Sequence, residues 1–330
     1  MGFFLPAFHT TNTRLLLSSL KSCFWSCMKN NFSSLRYTFF FLLVSGLGFV
    51  SCEKAISFNL DQSSTQLVVD ASIENDKAPV VILSKSLDYF SEISPDILAA
   101  SFIHGATVKI SNGTTTVALK EYKVPVDTNG NIVYYYSIDT TNPAGLMIGV
   151  LGTQYNLTIS DSVQRYSAQT SIPLLKKKAD SLWWKKAPNN PDTNKVVLEA
   201  RVTDPPGLGN YIRYFTSTNH GPFFPGLNSV FDDQVVDGTT YDINVDRGVN
   251  RNQKIDMKDY VFFEHGDTVT VKLCNIDKAT YDFWRTMEYN YQSIGNPFSS
   301  PTKVIGNISN NALGYFGGYA AQYMTLIIPK

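Results

Sequence analysis

Cysteine is scarce in this chain of 330 residues: there are four, too few for a fold stapled together by disulfides. Charge is scarce as well. Charged side chains make up 17% of the sequence, and Lys plus Arg equals Asp plus Glu at 28 each. That balance excludes a highly charged disordered chain and lacks the basic excess of a nucleic-acid binder. Histidine is rare, and His104, His220 and His265 share no ligand spacing of the H-E-x-x-H kind. No G-x-S-x-G nucleophile elbow occurs. No apolar run reaches the ~20 residues that a spanning helix needs. Aromatics and β-formers are plentiful instead: hydrophobic residues reach 43%, with 18 Tyr and 21 Phe, a composition that favours strands.

The charge is unevenly placed. Residues 1–51 carry Arg14, Lys21, Lys29 and Arg36 and no acid, which leaves the remainder net acidic. An apolar run from Tyr37 to Val50 follows the basic stretch and ends at Ser51-Cys52. A positive segment, a short apolar core and a small residue before the cut define a secretory signal. We read Met28 as the true start, giving a signal over 28–51; an unusually long basic segment is the alternative. Phe49-Val50-Ser51-Cys52 resembles a bacterial lipobox, in which the cysteine is lipidated and becomes the mature N-terminus. Cys52 is therefore the lipidation candidate, and several acyl chains anchor stably where one does not. An ordinary secretory signal with a chance cysteine is the rival reading. Cys274 lies in an alternating run and reads as a small buried hydrophobe.

Beyond a polar tether over 52–65, short runs rich in Val, Ile, Thr and Tyr recur between turn residues. They are Leu67–Ile73, Val80–Ser86, Ala106–Ile110, Thr114–Lys120, Ile132–Ile138, Tyr155–Ser160 and Ser167–Ile172. Asn112-Gly113 marks a hairpin turn, and Asp127 to Gly130 marks another. About seven strands over 66–175 predict an immunoglobulin-like β-sandwich, with an excursion and a short helical turn over Leu87–Ala100. The Lys-, Trp- and Pro-containing stretch 176–195 reads as a linker. A second β-rich domain is expected over 196–330, with strands at Val196–Val202, Tyr211–Ser217, Thr240–Val245, Tyr260–Glu264, Thr268–Cys274 and Tyr323–Ile328. One helix is expected near 278–292. Asp277 is its N-cap, and Phe283, Trp284, Met287 and Tyr291 form its apolar stripe.

Several ordered segments carry a family likeness: Cys52-Glu53-Lys54, Leu67-Val68-Val69 with Ala71 to Asn75, Val80 to Ser86, Gly105 to Val108, Gly152 to Tyr155, Tyr166-Ser167-Ala168, Ile172-Pro173, Phe231-Asp232-Asp233 with Asp237-Gly238, and Asn307-Ile308 with Ala312 to Gly317. Together they resemble the domain of unknown function 4249, a family of Bacteroidota outer-membrane lipoproteins. The resemblance implies a lipid-anchored outer-membrane protein with an immunoglobulin-like N-terminal part. It also implies an accessory role beside a TonB-dependent receptor. It implies no catalytic residue, and periplasmic and surface-facing orientations both stay open.

Candidate chemistry is sparse. Asp242, Asn244 and Asp246 alternate as calcium ligands could, but Gly248 and Gln253 fall off the EF-hand positions, and a strand with one wet face explains the alternation. Glu264-His265-Gly266-Asp267 reads as a hairpin loop. Asp232, Asp233 and Asp237 could instead cluster around calcium in a loop, but a solvated acidic turn is the preferred reading. Exposed aromatic faces can stack on sugars or anchor a partner. The contact candidates are Trp183 and Trp184, of which one faces in and one out if they share a strand, together with Phe223, Phe224, Tyr315 and Phe316. No cofactor, no enzyme activity and no nucleic-acid partner is expected. The leading expectation is a non-enzymatic accessory to a TonB-dependent receptor in nutrient uptake. A stand-alone glycan- or peptide-binding lipoprotein is the alternative, and a cryptic hydrolase stands third.

Overall fold

The computed structural model describes residues 65–87, 94–125, 132–142, 145–160, 164–294, 296, 299–300 and 302–330. The signal region 1–51, Cys52, the tether up to residue 64 and the turn Asp127–Gly130 lie outside the described residues.

Period-two alternation builds most of the molecule. In β1 (Leu67–Glu74), Leu67, Val69, Ala71 and Ile73 are buried while Val68, Asp70, Ser72 and Glu74 point to the other side. This strand sits within an eight-stranded sheet with β2 (Val80–Lys85), β5 (Lys120–Pro125), β6 (Ile132–Ser137), β11 (Tyr211–Thr218), β12 (Phe224–Phe231), β15 (Thr268–Ile276) and β16 (Leu313–Ile327). Their order is β12-β11-β15-β16-β1-β2-β6-β5. A second sheet, ordered β4-β3-β7-β8, holds β3 (Thr107–Ser111), β4 (Thr116–Ala118), β7 (Thr153–Ser160) and β8 (Arg165–Ile172). In a third sheet β10 (Lys195–Thr203) pairs with β9 (Lys178–Lys186), β13 (Thr240–Val245) and β14 (Phe263–Glu264). The protein is thus mainly β, as expected.

The two small sheets cover one face of the large one. Val69, Ala71, Val81, Tyr136, Phe316 and Ala320 share a core with Val108, Tyr155, Leu157 and Ile172 of the second sheet. Ile212, Tyr214, Val269, Val271 and Leu273 share another with Val196, Leu198 and Ala200 of the third. The opposite face carries α2 (Lys278–Ser293), which rests on Tyr315, Tyr319 and Ala321 through Tyr281 and Phe283. Asp277 is its N-cap, accepting from Thr280 N at 2.9 Å. The same carboxylate also accepts from Thr170 Oγ1 and Ser171 N of β8, at 2.8 and 3.0 Å. A short α1 (Pro95–Ser101), capped by Ser94, lies in the expected excursion.

Two expectations change. The stretch 176–195 holds a paired strand, β9, rather than a linker. Its lysines hide an inward set of Ala179, Leu182 and Trp184 that packs on the third sheet's core. Nor does the chain over 66–175 close its own sandwich. Strand β16 lies parallel to β1, from Val68↔Leu313 to Glu74↔Tyr319, and supplies Phe316 and Ala320 to that core. The described residues all fall in one compact unit. Gly314 permits the closure: its φ is +98°, and a Cβ there would sit 1.9 Å from the Val69 carbonyl oxygen. Among the described residues no helix is long and apolar enough to cross a membrane.

Candidate functional site

The face of the large sheet that the small sheets leave open bears a cavity of ≈ 760 Å³. Its floor is built from alternate residues of adjacent strands: Asp70, Ser72 and Glu74 of β1, Tyr315 and Tyr319 of β16, Lys272 of β15, and Arg213 and Phe215 of β11. Register places them side by side, because Asp70 pairs with Tyr315, Glu74 with Tyr319, and Phe215 with Lys272. Trp284, Met287 and Tyr291 of α2 form one wall, and Phe224, Pro225 and the loop 249–252 form the other.

Most charges in this cavity are matched. Glu74 is held by Lys272, by Lys77 Nζ at 2.7 Å, and by the Tyr323 hydroxyl. Burial pushes the Glu74 carboxyl up, but those two cations and hydrogen bonds outweigh it and keep it below its ordinary value. Glu288 of α2, 4% exposed, accepts from Ser229 N and from Arg251 Nη2, each at 2.9 Å, and from the Ser229 hydroxyl.

Asp70 and Arg213 differ. Neither has an ion-pair partner within 4.0 Å among the described residues. Arg213 is 3% exposed and donates to Ser229 Oγ at 3.1 Å and to the Tyr319 hydroxyl at 3.2 Å. Its guanidinium carbon lies 3.4 Å from the Trp284 ring centre and 4.7 Å from that of Phe215. Two aromatic faces therefore stabilise the cation where a carboxylate would normally do so. Asp70 reaches solvent through the cavity mouth, yet protein surrounds its carboxyl. That desolvation raises its pKa, against the pull of the Arg213 charge and the Tyr315 hydroxyl. Burial also raises Tyr315 and Tyr319, whose hydroxyls lie 3.2 Å apart. Beside its paired charges, the cavity thus presents one carboxyl and one guanidinium without an ion-pair partner, and neutral phenols.

The Glu74 cluster predicts an acid-sensitive contribution. A depressed carboxyl stabilises the fold above its unfolded pKa, and the gain is lost as pH falls through the folded value. Glu74→Gln is expected to cost about 1.5–3 kcal/mol at pH 7, the range for charge-assisted hydrogen bonds. The gap to wild type should close below about pH 4.5, as read by urea unfolding at a series of pH values. A gap independent of pH would refute this account.

A family model described as a domain of unknown function (DUF4249) matches residues 53–323. The chain belongs to this family. No curated protein matches it. The DUF4249 match runs from before β1 to Tyr323 within β16, so every cavity residue named above lies inside the family's domain.

Of the aromatic candidates, Phe224 and Tyr315 line the cavity. Phe223 lies edge-on to Tyr323. Phe316 is fully buried in the sandwich core and is a packing residue, because one step along β16 reverses the face. Trp183 and Trp184 lie on β9, away from the cavity. Trp184 faces the third sheet's core and His265. Trp183 faces outward, donates to Glu199 Oε2 at 2.9 Å and lies beside Lys185 and Arg201. At Asp242 and Asn244 the expected strand with one wet face forms as β13. Arg201 clasps both Asp242 oxygens, at 2.8 and 3.0 Å, and Asn244 is exposed on β13. Around His265 each group has another task. Lys195 holds Glu264, His265 Nδ1 meets the Pro329 carbonyl, and Asp267 accepts from Glu264 N. Cys274 is fully buried, and burial pushes its thiol up to about 12.

Sequence reasoning found Tyr315 but missed Asp70 and Arg213. Part of the signal was there: Arg213 is the one charge of β11, and Asp70 shares the outward face of β1 with Glu74.

Proposed function

We propose that this protein is a non-enzymatic binding lipoprotein. It is anchored to the outer membrane through Cys52, holds a small polar ligand in the open-face cavity, and serves as accessory to a TonB-dependent receptor in nutrient uptake. The observation that carries the binding part is the pair Asp70 and Arg213, left without ion-pair partners in one cavity. Arg213 is buried without a carboxylate partner, which is costly, and a ligand with a complementary group removes that cost. Arg213 suits a carboxylate and Asp70 an ammonium or a hydroxyl. A short peptide meets both demands, and an acidic glycan meets the first while its hydroxyls meet the second. Anchoring rests on the basic segment, apolar run and Ser51-Cys52 of the sequence. An anchor raises the local concentration of the domain around a membrane partner.

The test titrates the protein with short peptides and with acidic and neutral oligosaccharides, read by calorimetry. One class should bind, and Asp70→Asn should weaken it roughly 10- to 100-fold, the worth of a charge-assisted contact. Asp70 is solvent-accessible, so the variant should fold. Equal binding by wild type and variant would sink the assignment. A pull-down from outer membranes in mild detergent tests the partner. A stoichiometric TonB-dependent barrel supports the accessory role, and recovery of the lipidated protein alone favours independent binding.

A further inference from the structure

Away from the cavity, Asp204, Asp233 and Asp237 bring one carboxylate oxygen each within 4.8 Å of one another. Asp204 follows β10, and the other two lie in the turn after β12. Asp233 and Asp237 are already turned to local work: Asp233 accepts from Gly209 N and Asn210 N at 3.1 and 2.8 Å, and Asp237 accepts from Gly207 N at 2.7 Å. Asp204 is the anomaly. It is 2% exposed, it points into the cluster, and neither carboxylate oxygen accepts a hydrogen bond. The nearest counter-charge is Lys177, fully buried, with Nζ 3.2 Å from Asp204 Oδ1 but forming no hydrogen bond there. Lys177 is the one ammonium within 4.0 Å of Asp204, and among the described residues no ion pair is formed by Asp233 or Asp237. Buried acceptors normally find donors or a cation, since an orphaned carboxylate oxygen is among the costliest groups to bury.

We propose that Asp204, Asp233 and Asp237 bind a divalent cation, with calcium the class that fits. Calcium takes carboxylate oxygens at about 2.4 Å and tolerates irregular geometry. Oxygens within 4.8 Å of one another can therefore all touch one such ion. Two positive charges would also cancel the cluster's excess of two negatives. The bound ion would pin the turn 232–239 to the end of β10. That turn also carries Asp232, which accepts from the Tyr281 hydroxyl of α2 at 3.0 Å, so the site would steady one side of the helix that walls the cavity.

The test uses the full chain stripped with EDTA, then supplied with calcium chloride, magnesium chloride or potassium chloride at matched ionic strength. Calcium should raise the thermal midpoint by about 5 °C at saturation, and one calcium per chain should co-elute on gel filtration. Terbium should give sensitised emission that calcium quenches. Asp237→Asn, a change at an exposed residue, should abolish most of the calcium shift, and Asp233→Asn should do the same. Equal shifts with all three salts would show ionic screening only and overturn the proposal. So would no shift with no co-eluting calcium, which would leave Lys177 as the resident counter-charge.

Discussion

Gly314→Ala is expected to destabilise the fold by about 4 kcal/mol or more, at the far end of single-substitution effects. Two causes act together. The residue holds φ at +98°, where an L side chain is strained. The new Cβ would also meet the Val69 carbonyl oxygen at 1.9 Å and the Val69 nitrogen at 2.9 Å, and backbone has nowhere to move within a paired sheet. Relief requires β16 to part from β1 at the start of their register, where Val69 pairs with Gly314. Loss would therefore reach the sandwich core through Phe316 and Ala320. Urea unfolding read by circular dichroism measures it, with the thermal midpoint falling by roughly 10 °C. A loss under about 1 kcal/mol would show that the strands separate there without consequence.

Glu288→Ala is the second large effect, expected at about 3–5 kcal/mol. The carboxylate lies between two arginines, bonded to Arg251 directly and to Arg213 through Ser229. Removing it strands the Ser229 N–H and a guanidinium beneath α2. The cost arises from the partner left behind, so replacing Glu288 and Arg251 together by methionine should cost distinctly less than Glu288→Ala alone. A double variant as unstable as the single one would move the explanation from charge to packing. The prediction also bears on binding, because Arg213 and Arg251 line the cavity. A Glu288 variant that folds should bind the ligand more weakly without touching it.

The strands were legible wherever burial alternates. Leu67–Ile73, Val196–Val202 and Thr268–Cys274 each sit inside an observed strand, because one face meets a core and the other does not. Strands β5, β9 and β12 escaped, the last two for reasons their residues show. In β9 the lysines and paired tryptophans blur the alternation, and the register shifts opposite Arg201 and Val202. In β12, Pro225 and Gly226 read as loop, and the ladder to β11 is broken between Arg213 and Phe215, where an irregular strand tolerates such residues. The N-cap Asp277 was visible because its mechanism is local. The pairing of β1 with β16 was not, since nothing in either strand names a partner some 245 positions away. The site inherits that limit. Tyr315 stood out as an aromatic, whereas the meaning of Asp70 and Arg213 depends on strands that meet only in the folded sheet.

The parallel seam between β1 and β16 also sets an order of events during synthesis. A ribosome delivers residues 67–172 long before residue 313, so the early strands emerge with one flank of β1 unpaired and the places of Phe316 and Ala320 unfilled. Non-local pairing of this kind is slow to form. On the export route proposed above, a polypeptide that has not closed its sheet would remain threadable through a translocation channel. The same delay leaves the edge of β1 open until residue 319 is made.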